Sequence, residues 1–203
     1  MYPLDLLYKT IIAGWRKLIL QRLYSCEKFR QVSLLALALL SSENLVPAFA
    51  DAVEEYTAKS VLALNLARFT DWPSEVDKGH NGTIHLCVLG DTVVQDAFIL
   101  IDKKQIDHKT LSVLNINKRM QLNQCHVLYI GAETINPKQF FEESQYRHVL
   151  TIGETDDFLE QGGMVYLEMT DTKINLHINL RATQEAGVRI SSRVLKLATI
   201  INS

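Results

Sequence analysis

Cysteine is scarce in this chain, three in 203 residues, which excludes a disulfide scaffold. Cys26, Cys87 and Cys125 lie far apart with no C-x-x-C, so a haem attachment motif and a zinc ribbon are excluded too. Glycine and proline number nine and four, and they form no linker or repeat after residue 50. A single glycine, Gly90, follows the first strand-like run and is succeeded by Asp91. There is therefore no G-x-G-x-x-G to admit a pyrophosphate and no Walker A lysine. Neither G-x-S-x-G nor a cysteine beside an evident base is present, so nucleophilic hydrolysis lacks its nucleophile. His80 and His85 are five apart, His126 follows Cys125, and His108, His148 and His177 are scattered; none has the H-x-x-x-H spacing of a metal site. These absences predict a protein that is not an enzyme, without catalytic residues, metal or cofactor, and with its histidines at the surface or at strand edges.

Basic runs are missing as well. Residues 1–50 hold six Lys or Arg against three acids, whereas residues 51–203 hold fifteen against twenty. An acidic remainder without a basic stripe repels phosphate backbones, and no nucleic-acid partner is expected. With 47% apolar and 22% charged residues, the chain has the composition of a soluble folded protein.

The first fifty residues have the order of an export signal. Lys28 and Arg30 precede the uncharged run from Val32 to Leu40, followed by a polar stretch, Pro47 and Ala48-Phe49-Ala50. Small side chains at Ala48 and Ala50 suit a signal peptidase, so cleavage after Ala50 is expected, in the periplasm. Nine helical residues at ~1.5 Å each cover only roughly half of a ~30 Å hydrocarbon core, which makes a permanent span the weaker reading. Residues 1–27 are an extension ahead of that signal. With Lys9, Arg16, Lys17 and Arg22 beside Ile11, Ile12, Trp15 and Leu18, they could alternatively form an amphipathic surface helix. The domain division is thus residues 1–50, extension and cleavable signal, and residues 51–203, one α/β domain.

Within that domain, Ala58, Val61, Leu62, Leu66 and Phe69 recur at helical spacing from about Val53 to Thr70, and Trp72-Pro73 ends the helix. Strands are predicted at Ile84–Gly90, Thr110–Ile116, His126–Ile130 and Val149–Ile152. Helical segments are predicted between and after them, around Val93–Ile101, Pro137–Glu143 and Asp156–Gln161; alternation of this kind implies parallel crossovers. Val165, Leu167 and Met169, then Ile174, Leu176, Ile178 and Leu180, alternate with polar residues across Asp171-Thr172, as in an antiparallel hairpin with one wet face. A short helix from Arg181 to Ala186 stops at Gly187, and a second, capped by Ser191 or Ser192, buries Val194, Leu195, Ala198 and Ile201. The fold class is α/β: a single three-layer domain with a mainly parallel sheet plus a C-terminal antiparallel hairpin.

Export would put Cys87 and Cys125 in an oxidising compartment, where they could form one bridge; two buried thiols are the alternative. Cys87 precedes Gly90 by three residues and Cys125 precedes Gly131 by six. With aligned strand ends the offset is ~10 Å, against the ~7 Å a disulfide tolerates, so the bridge requires a register stagger. Glu154-Thr155-Asp156-Asp157 could bind a cation or cap the following helix. Glu168 and His177 on the wet face, with Arg181, Arg189 and Arg193 near the last helices, make a candidate partner or ligand patch. Tyr56, Lys59 and the Arg68–Trp72 segment flank a second candidate surface on the first helix. Small residues at Gly90, Gly131 and Gly153 mark the strand ends where a periplasmic small-molecule binding protein would hold its ligand.

Several ordered segments resemble a known family. These are Ala67-Arg68-Phe69-Thr70-Asp71-Trp72-Pro73, Leu86-Cys87-Val88-Leu89-Gly90, Cys125-His126-Val127-Leu128-Tyr129-Ile130, Phe158 to Val165, Ile174 to Leu180, and Ala186 to Leu195. Together they resemble the YfiR-like periplasmic regulators over residues 53–201. The resemblance implies a small, commonly dimeric α/β protein that binds the sensor portion of an inner-membrane diguanylate cyclase, or another transmembrane sensor such as a histidine kinase. Repression of the cyclase would lower cyclic di-GMP and biofilm formation. It also implies that Cys87 and Cys125 are one of the family's cysteine pairs; a second pair found in some members has no counterpart, since residues 126–203 contain no Cys.

Overall fold

The computed structural model describes residues 46–73, 82–117, 119–134, 140, 148–171 and 173–202. Helix α1 (Val46–Arg68) is followed by β1 (Thr70–Asp71), β2 (Thr83–Leu89), α2 (Thr92–Ile99), β3 (Gln105–Ile106), β4 (Lys109–Asn115), a 3-10 turn (Arg119–Gln124), β5 (Val127–Ile130) and β6 (Leu150–Gly153). Then come β7 (Val165–Thr170), β8 (Lys173–Asn179), α3 (Leu180–Glu185), β9 (Arg189–Ile190), α4 (Ser192–Leu195) and β10 (Thr199–Ile201). Eight strands form one sheet in the order β10-β8-β7-β6-β5-β2-β4-β3, and β1 and β9 pair separately.

The chain moves from β2 outward to β4, then crosses back over β2 to β5 and on through β6 and β7, all in parallel. Such a sheet must be covered on both faces. Ile84, Leu86 and Val88 of β2 join Val127, Tyr129 and Ile152 in a cluster with Ala63, Leu66 and Ala67 of α1 and with Val94 and Phe98 of α2. The alternate residues Cys87, Leu128 and Ile130 join Leu122, Cys125, Phe140, Phe158 and Leu159 in a second cluster. The expected three-layer arrangement with a mainly parallel sheet is therefore present. Its second outer layer, among the described residues, consists of turns and the 3-10 segment. The hairpin β7–β8 has the expected antiparallel register, Val165 opposite Ile178 through Thr170 opposite Lys173.

Several expectations are corrected. On α1, Ala58 and Val61 face outward, and the buried positions are Lys59, Ser60, Ala63, Leu66 and Ala67. The apolar stripe is thus rotated onto Ala63, Leu66 and Ala67, and Lys59, on the same side, meets a buried partner in Glu154. The segment Asp156–Gln161 is a series of turns, not a helix. Gly163 N donates to the Phe158 carbonyl, and a Cβ on either Gly153 or Gly163 would collide with the Phe158 ring, so the chain wraps that ring and cannot coil regularly. The stretch after β4 contains a 3-10 turn. Helix α4 ends at Leu195, with Ser191 as its cap, and Ile201 belongs to β10 alongside β8. The residues expected as a helix at 137–143, apart from Phe140, lie outside the described residues, as do residues 1–45; Ala48 and Ala50 fall within α1. Gly187 has the left-handed conformation expected of a helix stop, φ 72°.

Cys87 and Cys125 are bonded, with Cα atoms 5.7 Å apart. No strand stagger is involved: Leu89 lies opposite Ile130, so the strand ends align. Cys125 precedes β5 and is not on the strand line. Its N–H donates to the Leu122 carbonyl as the 3-10 turn ends, which holds it over the face to which Cys87 points. Both sulfurs are shielded, with Cys87 fully buried. Closing a loop across a separation of 38 residues is worth ~3–4 kcal/mol if unstrained. Cys87→Ser or Cys125→Ser should lower the urea midpoint correspondingly under oxidising conditions and much less when wild type and variant are both fully reduced. A wild-type protein whose midpoint ignores reductant would contradict a stabilising bridge.

Candidate functional site

Lys59 is the anomaly of the buried interior: its side chain and that of Glu154 are each 3% exposed, and they form an ion pair. The pairing follows from local structure. Lys59 lies on the sheet-facing side of α1, and Glu154 is the first residue after β6, at the carboxyl end of the parallel strands. Tyr129 of β5 donates its phenol to Glu154 Oε1 at 2.6 Å. Glu55, one turn before Lys59, pairs with the same ammonium, which also lies 4.9 Å from the centre of the Tyr56 ring. Burial raises the Glu154 carboxyl above its ordinary range, opposed by Lys59 and by the two hydrogen bonds. Burial raises the Tyr129 phenol well up, reinforced by Glu154. Tyr56 is raised first by burial and then by the fields of Glu154, Glu55, Asp91 and Glu133. The strand ends therefore carry an acidic surround with a buried ammonium at its centre.

The stretch 154–157 does not open a helix, and three of its side chains bond to other parts of the protein. Glu154 turns to Lys59, Asp156 accepts from the Tyr166 phenol at 2.5 Å, and Asp157 accepts from Gln161. Among the described residues no group of three or more His, Cys, Asp or Glu is placed to hold a metal. The glycines at the strand ends are occupied by the protein itself. A Cβ on Gly90 would meet Val94 at 2.9 Å, Gly131 sits over Gly90 and Val94, and Gly153 is filled by Phe158. Close approach there is chain against chain.

Of the expected patch, the structure brings together Glu168 and His177, whose Nε2 lies 3.0 Å from Glu168 Oε2. Asn175 donates to the same carboxylate, and the Tyr166 and His177 rings are 5.4 Å apart. The Glu168 carboxyl is lowered by its hydrogen bonds to His177 and Asn175. This is a polar, aromatic strip on the second face of β7 and β8. The arginines are elsewhere. Arg181 on α3 pairs with Glu185 at 3.7 Å, Arg189 is on β9 opposite Asp71 of β1, and Arg193 is on α4, whose Val194 and Leu195 pack against the first cluster.

His126 is buried, not at the surface: its Nδ1 accepts from the backbone N–H of His85 at 3.0 Å, and its ring meets Trp72 edge-on at 5.8 Å. A ring that accepts at Nδ1 is unprotonated there. Sequence reasoning missed the Lys59–Glu154–Tyr129 network. Its one local signal is Lys59-Ser60 lying between helical turns whose other inward residues are small or apolar.

The profile of the YfiR/HmsC-like family matches residues 56–199. No curated protein matches the chain. Among solved structures, a conserved domain protein from Vibrio cholerae O1 biovar El Tor is similar at 14% identity and TM-score 0.41, over 59% of this chain and 54% of that one. The chain thus spans about half the length of that structure.

Removing one member of a buried pair strands the other. Lys59→Met should cost ~3–5 kcal/mol at neutral pH. The sign with pH follows from Glu154. A carboxyl whose folded pKa lies above its unfolded one favours folding when protonated, and that contribution is lost as pH rises from the ordinary value of 4.5 through the raised one. The penalty of Lys59→Met should therefore shrink on acidification towards about pH 4.5, while Lys59→Met/Glu154→Leu should recover much of the stability. Urea titrations across this range measure it; a pH-independent penalty would contradict an ionised partner.

Proposed function

Because the chain belongs to the YfiR/HmsC-like family, we propose that it is a periplasmic regulator that binds the sensor portion of an inner-membrane diguanylate cyclase and lowers cyclic di-GMP output. The observation that carries this reading is the family match over residues 56–199, joined to a buried Cys87–Cys125 disulfide, which forms and persists where the surroundings are oxidising. The basic, apolar and small-residue order ending at Ala48 and Ala50 supports export. The mode of action is protein contact. The polar groups at the strand ends are bonded to one another, and the glycines there pack against Val94 and Phe158. That arrangement speaks less for a small-molecule binding protein, the second reading, than for a rigid body whose outer surfaces act. The strip of Tyr166, Glu168, Asn175 and His177 is one such surface. A homodimer is part of the proposal through the family resemblance.

Deletion of the gene should raise cellular cyclic di-GMP and surface attachment, and re-expression should reverse both. Fractionation should find the product in the periplasm, shortened after Ala50. A cytosolic full-length product, or unchanged cyclic di-GMP in the deletion, would refute the proposal.

A further inference from the structure

The middle of α1, residues 58–61, is amphipathic in an inverted sense. Lys59 and Ser60 are buried, while Val61 is 45% exposed and Ala58, one turn before it, is exposed on the same side. Lys59 turns inward to Glu154 on the side that also buries Ala63, Leu66 and Ala67, which leaves Ala58 and Val61 on the outside. Alongside runs the tip of the β7–β8 hairpin, where Met169 is 38% exposed. Helix and hairpin enclose an open groove of about 410 Å³. Its apolar lining is Ala58, Met169 and Ile174, and every charged residue that lines it, Asp51, Glu54, Glu55 and Asp171, is acidic. Glu55 is engaged by Lys59, and Asp51 becomes the amino terminus, with an ammonium of its own, once the signal is removed, which leaves Glu54 on one wall and Asp171 on the other.

Charge and symmetry select the occupant. Anionic lipid and nucleic acid would be repelled by such walls. A second copy meeting this groove through a two-fold axis would set acid against acid, since an isologous contact faces each patch with itself. An apolar anchor flanked by Lys or Arg satisfies both the lining and the walls. Resting on the reading above, that the protein acts by protein contact, we infer that this groove is the docking surface for a basic amphipathic segment of the partner protein. An apolar side chain of that segment sits over Ala58, Met169 and Ile174, and its cations face Glu54 and Asp171.

The test uses the exported protein, purified from the periplasm, with two fluorescent amphipathic peptides, one of leucine and lysine and one of leucine and glutamate. Fluorescence anisotropy should show binding of the lysine peptide, weakening with salt, and none of the glutamate peptide. Glu54→Lys/Asp171→Asn, with asparagine at 171 because that residue has a left-handed φ of 54° that Asn tolerates, should weaken lysine-peptide binding by about tenfold with an unchanged melting temperature. If that variant misfolds, Glu54→Gln/Asp171→Asn replaces it, with a smaller loss expected. Equal binding by a folded variant, or equal binding of both peptides, overturns the inference. So does a wild-type dimer that the charge reversal disperses in sedimentation, because the occupant would then be a second copy. In cells, a charge-reversed protein that still represses cyclic di-GMP fully would overturn the docking site and leave the proposed function intact. Unchanged cyclic di-GMP on gene deletion would do the reverse.

Discussion

A parallel sheet has no face to spare for water, and here the requirement for cover on both sides shapes almost everything else. One side is met by α1 and α2 over Leu86, Val88, Val127 and Tyr129. The other side, among the described residues, has no long helix to lay across it. It is covered instead by Leu122, Phe140, Phe158 and Leu159 from turns and short segments. Turns bring little regular hydrogen bonding of their own, so this layer is held by other means. The Cys87–Cys125 bond fastens the 3-10 segment to β2, and Phe158 is gripped between Gly153 and Gly163. The cystine thus compensates for a layer that is poor in secondary structure.

The helical side has its own device. A buried ion pair seldom stabilises more than a well-packed apolar replacement would, but it is unforgiving about geometry. Lys59 must meet Glu154 and Glu55 together, while Glu154 also accepts from Tyr129. Ala63, Leu66 and Ala67 are buried on the same side of α1, so the ion pair and the apolar stripe agree on one rotation of the helix.

Much of the fold was legible because its strands are long enough to alternate or uniformly apolar enough to be read as buried. β2, β4, β5, β6 and the β7–β8 hairpin all fall where the pattern puts them. The strands of two or three residues were not legible, because β1, β3, β9 and β10 are too short to show a period. β10 was hidden further by Val194, Leu195, Ala198 and Ile201, which read as one helical stripe although the chain leaves the helix after Leu195. Glu168 and His177 could be placed together because alternation alone puts them on the same face of a hairpin. Lys59 could not be placed, because its partner lies 95 residues away and only the tertiary fold makes a cation acceptable at an inward position. The bridge was legible as a pair and illegible as geometry, since strand arithmetic does not describe a residue that has left the strand.

The turn after β6 ties these parts together. Glu154 reaches Lys59 on the helical side, and two residues on, Asp156 holds the Tyr166 phenol on the opposite side. Between the strand end and the next glycine, Phe158 pins the same turn. It works as a rivet through the sheet's rim: one short turn is joined to α1 through Glu154 and, through Asp156, to the Tyr166 ring that lies tilted beside the His177 imidazole.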